Sequence, residues 1–238
     1  MNILLYFTNT MVDKEENMKR KLFISFSTIL SFSGLYYLIS ELIAIINCKD
    51  SYYAYFSHTI SELALPKGQL WYGKVSSFSS LAVVMNTALI INGIVFYICY
   101  CICLTRLLHK KARFFCLLLA FIVTLGSIFV GLFHGGALTR GIHDIGTIMV
   151  FAGGNILLLL TGIFFKPKKT TFYRIFCIIL GVLGLASGGT ILLTINTDYY
   201  RFVPVLERLA VYPIVFFEIF TGIYVVIFNK RFLDSNKK

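Results

Sequence analysis

Most of the ionisable side chains that could do chemistry in this chain lie near the ends of long apolar segments. They fall into three groups along the sequence, and the second group also contains the amide Asn155. The groups are Glu41, His58 and Glu62; His134, Arg140, His143, Asp144 and Asn155; and Glu207, Arg208 and Glu218. Imidazole and carboxylate groups at this density can bind a polar ligand, hold a metal ion or exchange protons with a substrate. The sequence therefore predicts that these residues line a binding site.

Spacing places several of these residues on common helix faces. Eleven residues make about three turns of an α-helix, and this is the separation of Glu207 from Glu218 and of Asp144 from Asn155. Each pair is predicted to form a polar stripe that descends from one end of its helix.

The loop after the first apolar segment carries a signal for the start of a helix. Thr59 is followed three residues later by Glu62, which fits a capping box, where each side chain bonds the backbone N–H of the other residue. We expect a short helix here, with His58 and Glu62 close to one another.

The elements that must position these groups are transmembrane helices. Hydrophobic residues make up 58% of the 238 and charged residues only 14%, against about 25% charged in a soluble domain. Six apolar segments, at about 22–46, 75–104, 114–133, 145–165, 175–195 and 204–228, each approach or exceed the ~20 residues that span a bilayer. The predicted fold is all-α, a six-helix transmembrane bundle over 22–228, with tails at 1–21 and 229–238. Translation can start at Met1 or Met18.

The positive charges indicate the topology. The net charge is +11, and sixteen of the 22 Lys and Arg residues lie in the two tails and in the loops after the second and fourth segments. The positive-inside rule places both termini and these loops in the cytoplasm of a plasma-membrane protein. The ionisable groups then lie on the outer side. No basic face interleaved with stacking aromatics is present, so the expected partner is the lipid bilayer and not nucleic acid.

Three functions fit an outward polar pocket. Ionisable groups cost about 2.5–3.5 kcal/mol at the bilayer centre, so they usually face a bundle interior or a water-filled cavity. The first hypothesis is a binding or sensing protein for a lipid headgroup or small polar ligand. The second is a membrane-embedded lipid hydrolase or transferase with His58 or His143 as general base, oriented by Glu62 or Asp144. The third is a small exporter or permease, although no internal repeat supports it.

Other interpretations assign the same residues smaller roles. Glu41 and Glu218 can pair with Arg208 or Arg140 and simply hold helices together. His58, His134, His143 and Asp144 supply enough ligands for zinc, but their spacing matches no HExxH signature. No cofactor is therefore expected, with zinc kept as a candidate metal. Ser57 and Ser61 lie near His58, but neither sits in a G-x-S-x-G elbow typical of a serine nucleophile.

Three segments carry a resemblance to a known family. Ser57–Leu63, Gly136–Asp144 and Glu207–Pro213 resemble the domain-of-unknown-function 998 family of prokaryotic integral membrane proteins, over roughly residues 20–230. The resemblance implies about six helices in the plasma membrane and no established activity. Ser57–Leu63 also resembles the Frag1/DRAM/Sfk1 membrane proteins, some of which act in lipid-anchor remodelling.

Overall fold

The computed structural model describes residues 2–48, 55–56, 58–68, 70–71, 74–75, 81–134, 138–167, 170–194 and 201–234. Over these residues the chain forms seven α-helices: α1 Asn2–Ile46, α2 Ile60–Leu63, α3 Ala82–Ile102, α4 Lys110–Leu132, α5 Arg140–Phe164, α6 Thr171–Thr194 and α7 Val203–Asp234. A 3-10 turn covers Leu104–Leu107, and two short strands, β1 (Leu70–Trp71) and β2 (Lys74–Val75), pair antiparallel.

Six of these helices are long and apolar enough to cross a membrane. The spans are Asn17–Ile46, Ala82–Ile102, Lys110–Leu132, Arg140–Phe164, Thr171–Thr194 and Val203–Phe228. The predicted all-α bundle with six membrane-spanning helices is confirmed, and the chain is a multi-pass membrane protein. Helix α1 begins at Asn2 and continues without a break into the first span, so the segment predicted as an N-terminal tail is helical from residue 2.

The six spanning helices form a closed ring. Each packs against the next, from α1 to α3, α4, α5, α6 and α7, and α7 returns to α1. Helix α7 also contacts α5 across the ring. The contact between α1 and α7 is especially close, because a Cβ atom on Gly222 would lie 2.2 Å from the backbone oxygen of Ser27. Small residues at such a crossing let two helix backbones approach one another.

The two ends of the ring differ in their packing. We call the end that carries residues 103–109 and 165–167 the basic end, and the opposite end, which carries α2, the α2 end. At the basic end the two loops are bonded together, since Lys166 N donates to Leu107 O at 2.8 Å. Arg174 donates to the carbonyls of Gly162 and Ile163, both at 3.0 Å, and so caps the C-terminus of α5.

Apolar side chains fill the half of the ring next to the basic end. Helices α3, α5, α6 and α7 each supply large side chains to one buried hydrophobic cluster. Its members include Tyr100, Leu157, Tyr173 and Tyr224. The buried hydroxyls are bonded in pairs, Tyr100 to Thr161 at 2.8 Å and Tyr173 to Thr221 at 3.0 Å. These four buried hydroxyls therefore have partners within the protein.

Candidate functional site

Helix α2 closes the α2 end and is built by its own capping box. Glu62 N donates to Thr59 Oγ1 at 3.2 Å, and Thr59 N donates to Glu62 Oε2 at 2.6 Å. The predicted capping box is confirmed. Ile60 and Leu63 are buried, and they anchor this single turn in the bundle. Burial raises the pKa of the Glu62 carboxyl, while its bond from the Thr59 amide and the charge of nearby His58 act in the opposite direction.

Glu207 ties α2 to α7. Its Oε2 accepts the N–H of Ile60 at 2.6 Å, and its Oε1 accepts the Ser61 hydroxyl at 2.7 Å and the Ser61 N–H at 3.3 Å. Three donors on one buried carboxylate form a strong attachment, because bonds to an ionised group are shorter and stronger than neutral ones. Glu207 therefore fixes Ser61 at the end of the ring.

His143 meets the same serine from α5. Its Nδ1 lies 3.0 Å from Phe133 O, and its Nε2 lies 3.2 Å from Ser61 Oγ. A carbonyl oxygen can only accept, so Nδ1 carries a proton, and in the neutral imidazole Nε2 then presents a lone pair to the serine. The Ser61 hydroxyl has one proton and two acceptors within reach, Glu207 and His143.

A second polar cluster lies beside the first. Arg208 Nε is 3.4 Å from Glu41 Oε1, and the Tyr212 hydroxyl donates to Glu41 Oε2 at 2.9 Å. Arg208 Nη1 donates to His58 O at 2.8 Å, and its guanidinium lies 4.0 Å from the centre of the Tyr55 ring. The hydroxyls of Tyr55 and Tyr212 are hydrogen-bonded. Glu41 thus has the helix-joining role that the alternative interpretation assigned to it.

An interior cavity begins under α2 and reaches the middle of the ring. It has a volume of about 50 Å³, room for more than one water, since one needs roughly 10–15 Å³ by this measure. Glu207 borders it near the α2 end, and Glu218 borders it three helical turns further in. The other polar lining residues are Tyr37, Ser61, Asn92, Ser127 and Thr147.

Two buried polar atoms on this cavity have no hydrogen-bond partner among the described residues. They are Tyr37 Oη and Glu218 Oε1, and their residues are 2% and 0% exposed. The other oxygen of Glu218 accepts from Asn92 Nδ2 at 2.7 Å, and Asn92 Nδ2 also lies 3.0 Å from Ser33 Oγ. Most buried polar atoms in proteins have a hydrogen-bond partner. Two buried atoms without one on the same cavity wall therefore indicate a site for a bound polar molecule.

Other predicted site residues lie away from this cavity. The Asp144 and Arg140 side chains are 58% and 41% exposed and pair with each other at 3.6 Å, one turn apart on α5. Asn155 is buried, but its amide joins helices: Nδ2 donates to Ala210 O on α7 at 2.9 Å, and Oδ1 lies against Gly184 on α6. These three side chains are not part of the cavity wall.

His134 lies at a separate surface hollow of about 350 Å³, which it shares with Lys67 and Asn86. Burial lowers the pKa of its imidazole. Within the described residues, no three His, Cys, Asp or Glu side chains converge in a group that could hold a metal ion. Ser57, the other serine considered as a nucleophile, lies outside the described residues.

Tyr37 and Asn92 are among the polar residues of the cavity wall that sequence reasoning missed. Tyr37 precedes Glu41 by four residues, a spacing that places both on one helix face. Asn92 is an amide near the middle of an apolar span, and polar groups at that depth normally face the bundle interior. Both signals were present in the sequence.

The fold and the cavity define a six-span helical membrane protein with a polar site at one end. A family model described as "Protein of unknown function (DUF998)" matches residues 33–223, so the chain belongs to that family. The match includes α2, the cavity wall and both polar clusters. No curated protein and no solved structure shows significant similarity to the chain.

Proposed function

We propose that this protein is a plasma-membrane receptor whose outward-facing site binds a lipid headgroup or a small polar ligand. The orientation follows from the positive-inside rule, because basic residues flank the basic end and the N-terminal side of α1. With that end in the cytoplasm, α2 and the cavity beneath it lie toward the outer surface.

The observation that carries this proposal is the pair of open polar atoms, Tyr37 Oη and Glu218 Oε1, on one buried cavity. A buried polar group without a partner costs about 1–3 kcal/mol, and a bound polar ligand removes that cost. The apolar walls, which include Val123 and Ile214, suit the short hydrocarbon portion of such a ligand. The packed half next to the basic end favours binding over passage through the ring.

Cysteine accessibility tests whether the cavity is reached from outside. In a background without the native cysteines, Thr147→Cys places a thiol on the cavity wall, and Ile148→Cys places one at the same depth on the exposed outer face of α5. Methanethiosulfonate ethylammonium, added to the outer side of cells, is expected to modify Thr147→Cys and to leave Ile148→Cys unmodified, because lipid-facing thiols are not hydrated.

Ligand protection completes the experiment. Glycerol 3-phosphate and phosphoethanolamine represent soluble headgroups, and discs of the corresponding phospholipids represent the lipids themselves. At least one of these probes is expected to slow the modification of Thr147→Cys. A thiol that reacts as slowly as the Ile148→Cys control, or one that no probe protects, would contradict the proposed binding function.

One contact favours a second candidate function, a membrane-embedded lipid hydrolase or acyltransferase. Ser61 Oγ lies 3.2 Å from His143 Nε2, and Phe133 O fixes the opposite ring nitrogen. A nucleophile, a base and an orienting group in this order form a serine-hydrolase arrangement. In this role the Phe133 carbonyl replaces Asp144 as the orienting group. A fluorophosphonate probe should then label Ser61 and should fail to label a His143→Ala variant; equal labelling of both would exclude the mechanism.

A further inference from the structure

We infer that the polar group recognised in the cavity is a small protonated amine, an alkylammonium ion that binds Glu218 Oε1 in the cavity whose wall also carries the open Tyr37 Oη. This inference rests on the proposed binding function and adds the chemical class of the ligand. An alkylamine from solution and the amine of a phosphatidylethanolamine headgroup share this chemistry.

The charge of the cavity wall selects a cation. Its charged lining residues are Glu207 and Glu218, and among the described residues no Lys or Arg lines it. Glu207 is compensated by three donors from α2, whereas Glu218 receives one amide bond from Asn92. A carboxylate buried in the low dielectric of a bundle is strongly destabilised unless a positive charge or further donors face it. A bound ammonium supplies both to Glu218.

The shape and composition of the cavity favour an ammonium over a metal ion. Calcium takes 6–8 oxygen ligands and magnesium requires a near-octahedral set, while the cavity wall as a whole is mainly apolar. A primary ammonium offers three N–H donors on one side and an alkyl chain on the other. The donors match the open oxygens of Glu218 and Tyr37, and the chain matches side chains such as Val123 and Val150.

Aromatic rings on the wall add a second attraction for the same class of ligand. Phe96 and Phe151 line the cavity together with Tyr37. The face of an aromatic ring attracts a cation within about 6 Å of its centre, most strongly where water is excluded. A neutral alcohol of the same size would gain the apolar contacts but neither the ion pair nor this attraction.

The test compares n-propylamine with 1-propanol, which have the same number of heavy atoms and differ in charge at neutral pH. Binding is measured by calorimetry on the full chain in discs of phosphatidylglycerol, a lipid without an amine. We expect propylamine to bind at least about tenfold more tightly than propanol. A hydrogen bond to a charged group is stronger than a neutral one, and a difference of about 1.4 kcal/mol corresponds to that factor in affinity.

Variants identify the atoms involved. Glu218→Gln keeps an acceptor for Asn92 but removes the charge, and Tyr37→Phe removes the open hydroxyl. Each is expected to weaken propylamine binding by about tenfold or more. Asp144→Asn and Tyr36→Phe are the matched controls, because the Asp144 side chain is exposed and lies outside the cavity wall and Tyr36 is exposed on α1. Unchanged unfolding temperatures confirm that each variant is folded.

Two further outcomes complete the design. The protein is prepared in discs with equal amounts of phosphatidylethanolamine and phosphatidylglycerol. Native mass spectrometry then shows whether wild type retains phosphatidylethanolamine in preference to phosphatidylglycerol, and whether Glu218→Gln loses this preference. A preference for the amine lipid that Glu218→Gln loses supports the inference and identifies the lipid as the source of the amine. Propylamine binding without such a preference also supports the inference and identifies a free amine as the source.

Equal affinity for propylamine and propanol, or unchanged propylamine affinity in folded Glu218→Gln, overturns the inference. If glycerol 3-phosphate still protects Thr147→Cys in that case, the proposed function stands without the amine.

Discussion

Arg208 and Glu41 form an ion pair that is closed off from solvent, with Nε 3.4 Å from Oε1 and side chains only 5% and 3% exposed. The pair joins α7 to α1, where the ring closes. The preceding residue on α7, Glu207, turns instead to α2 and the cavity. Two adjacent charged residues therefore have separate tasks: Arg208 holds the ring together, and Glu207 shapes the site.

Removing one member of this pair should destabilise the protein strongly. Arg208→Met leaves the Glu41 charge buried without its partner, which typically costs about 3–5 kcal/mol. The double variant Glu41→Gln with Arg208→Met should recover part of that loss. Denaturant unfolding in detergent measures the free energy. Arg140→Met is the control, because its pair with Asp144 is exposed and such pairs contribute about 0–1 kcal/mol. Equal losses for the two arginine variants would contradict the assigned role of Arg208.

The contact between α1 and α7 should not tolerate a methyl group. A Cβ on Gly222 would lie 2.2 Å from Ser27 O and 2.1 Å from Ser31 Oγ, so Gly222→Ala must push two helix backbones apart. Overpacking of this kind costs about 1–3 kcal/mol. Gly189→Ala on α6 is the matched control, since nothing lies within 4 Å of its added Cβ. The thermal unfolding temperature should fall for Gly222→Ala alone; a similar fall in both would show that helix crossing is not the cause.

The orientation in the membrane can be tested with two single cysteines. Gly141 and Lys111 are exposed near the first turns of α5 and α4, at opposite ends of the ring. In a background without native cysteines, Gly141→Cys should react with an impermeant maleimide on intact cells. Lys111→Cys should react only after permeabilisation, because the basic end is expected in the cytoplasm. The reverse pattern would place α2 and the cavity beneath it toward the cytoplasm.

Glu62 should give stability a specific pH dependence. Burial raises the pKa of its carboxyl, so the folded state binds the proton more tightly than the unfolded chain does. Its contribution to stability is then fully present below the unfolded pKa of about 4.3 and is lost as pH rises through the folded value. Relative to Glu62→Gln, which does not titrate, wild type should lose stability as the pH rises above about 4.3. Parallel unfolding curves for the two proteins would contradict this.

Length and polarity along the chain were enough to predict the helices. Each span is a continuous apolar run, and a run of that length in lipid has to be helical. The separation of eleven residues likewise placed Glu207 and Glu218 on one face, and both line the cavity, whereas in the other predicted stripe Asp144 is exposed and Asn155 is buried. These predictions depend only on contacts within one helix, which follow from its regular geometry.

Partners between helices could not be read from the sequence. Asn92 and Asn155 are both amides within apolar spans, yet one reaches Glu218 and the other reaches Ala210. The difference depends on how α3 and α5 are rotated in the ring. In the same way, His143 points inward to Ser61 while Asp144, the next residue, points outward, because successive residues are rotated by about 100° around a helix.

The most direct measurement of the site is an experimental structure in lipid discs at a resolution that shows ordered solvent. We predict density larger than a water molecule in the cavity beneath α2, within hydrogen-bond distance, about 3 Å, of both Glu218 Oε1 and Tyr37 Oη. A cavity that holds isolated waters or nothing, or one in which these two side chains bond other protein groups, would contradict a ligand site at this position.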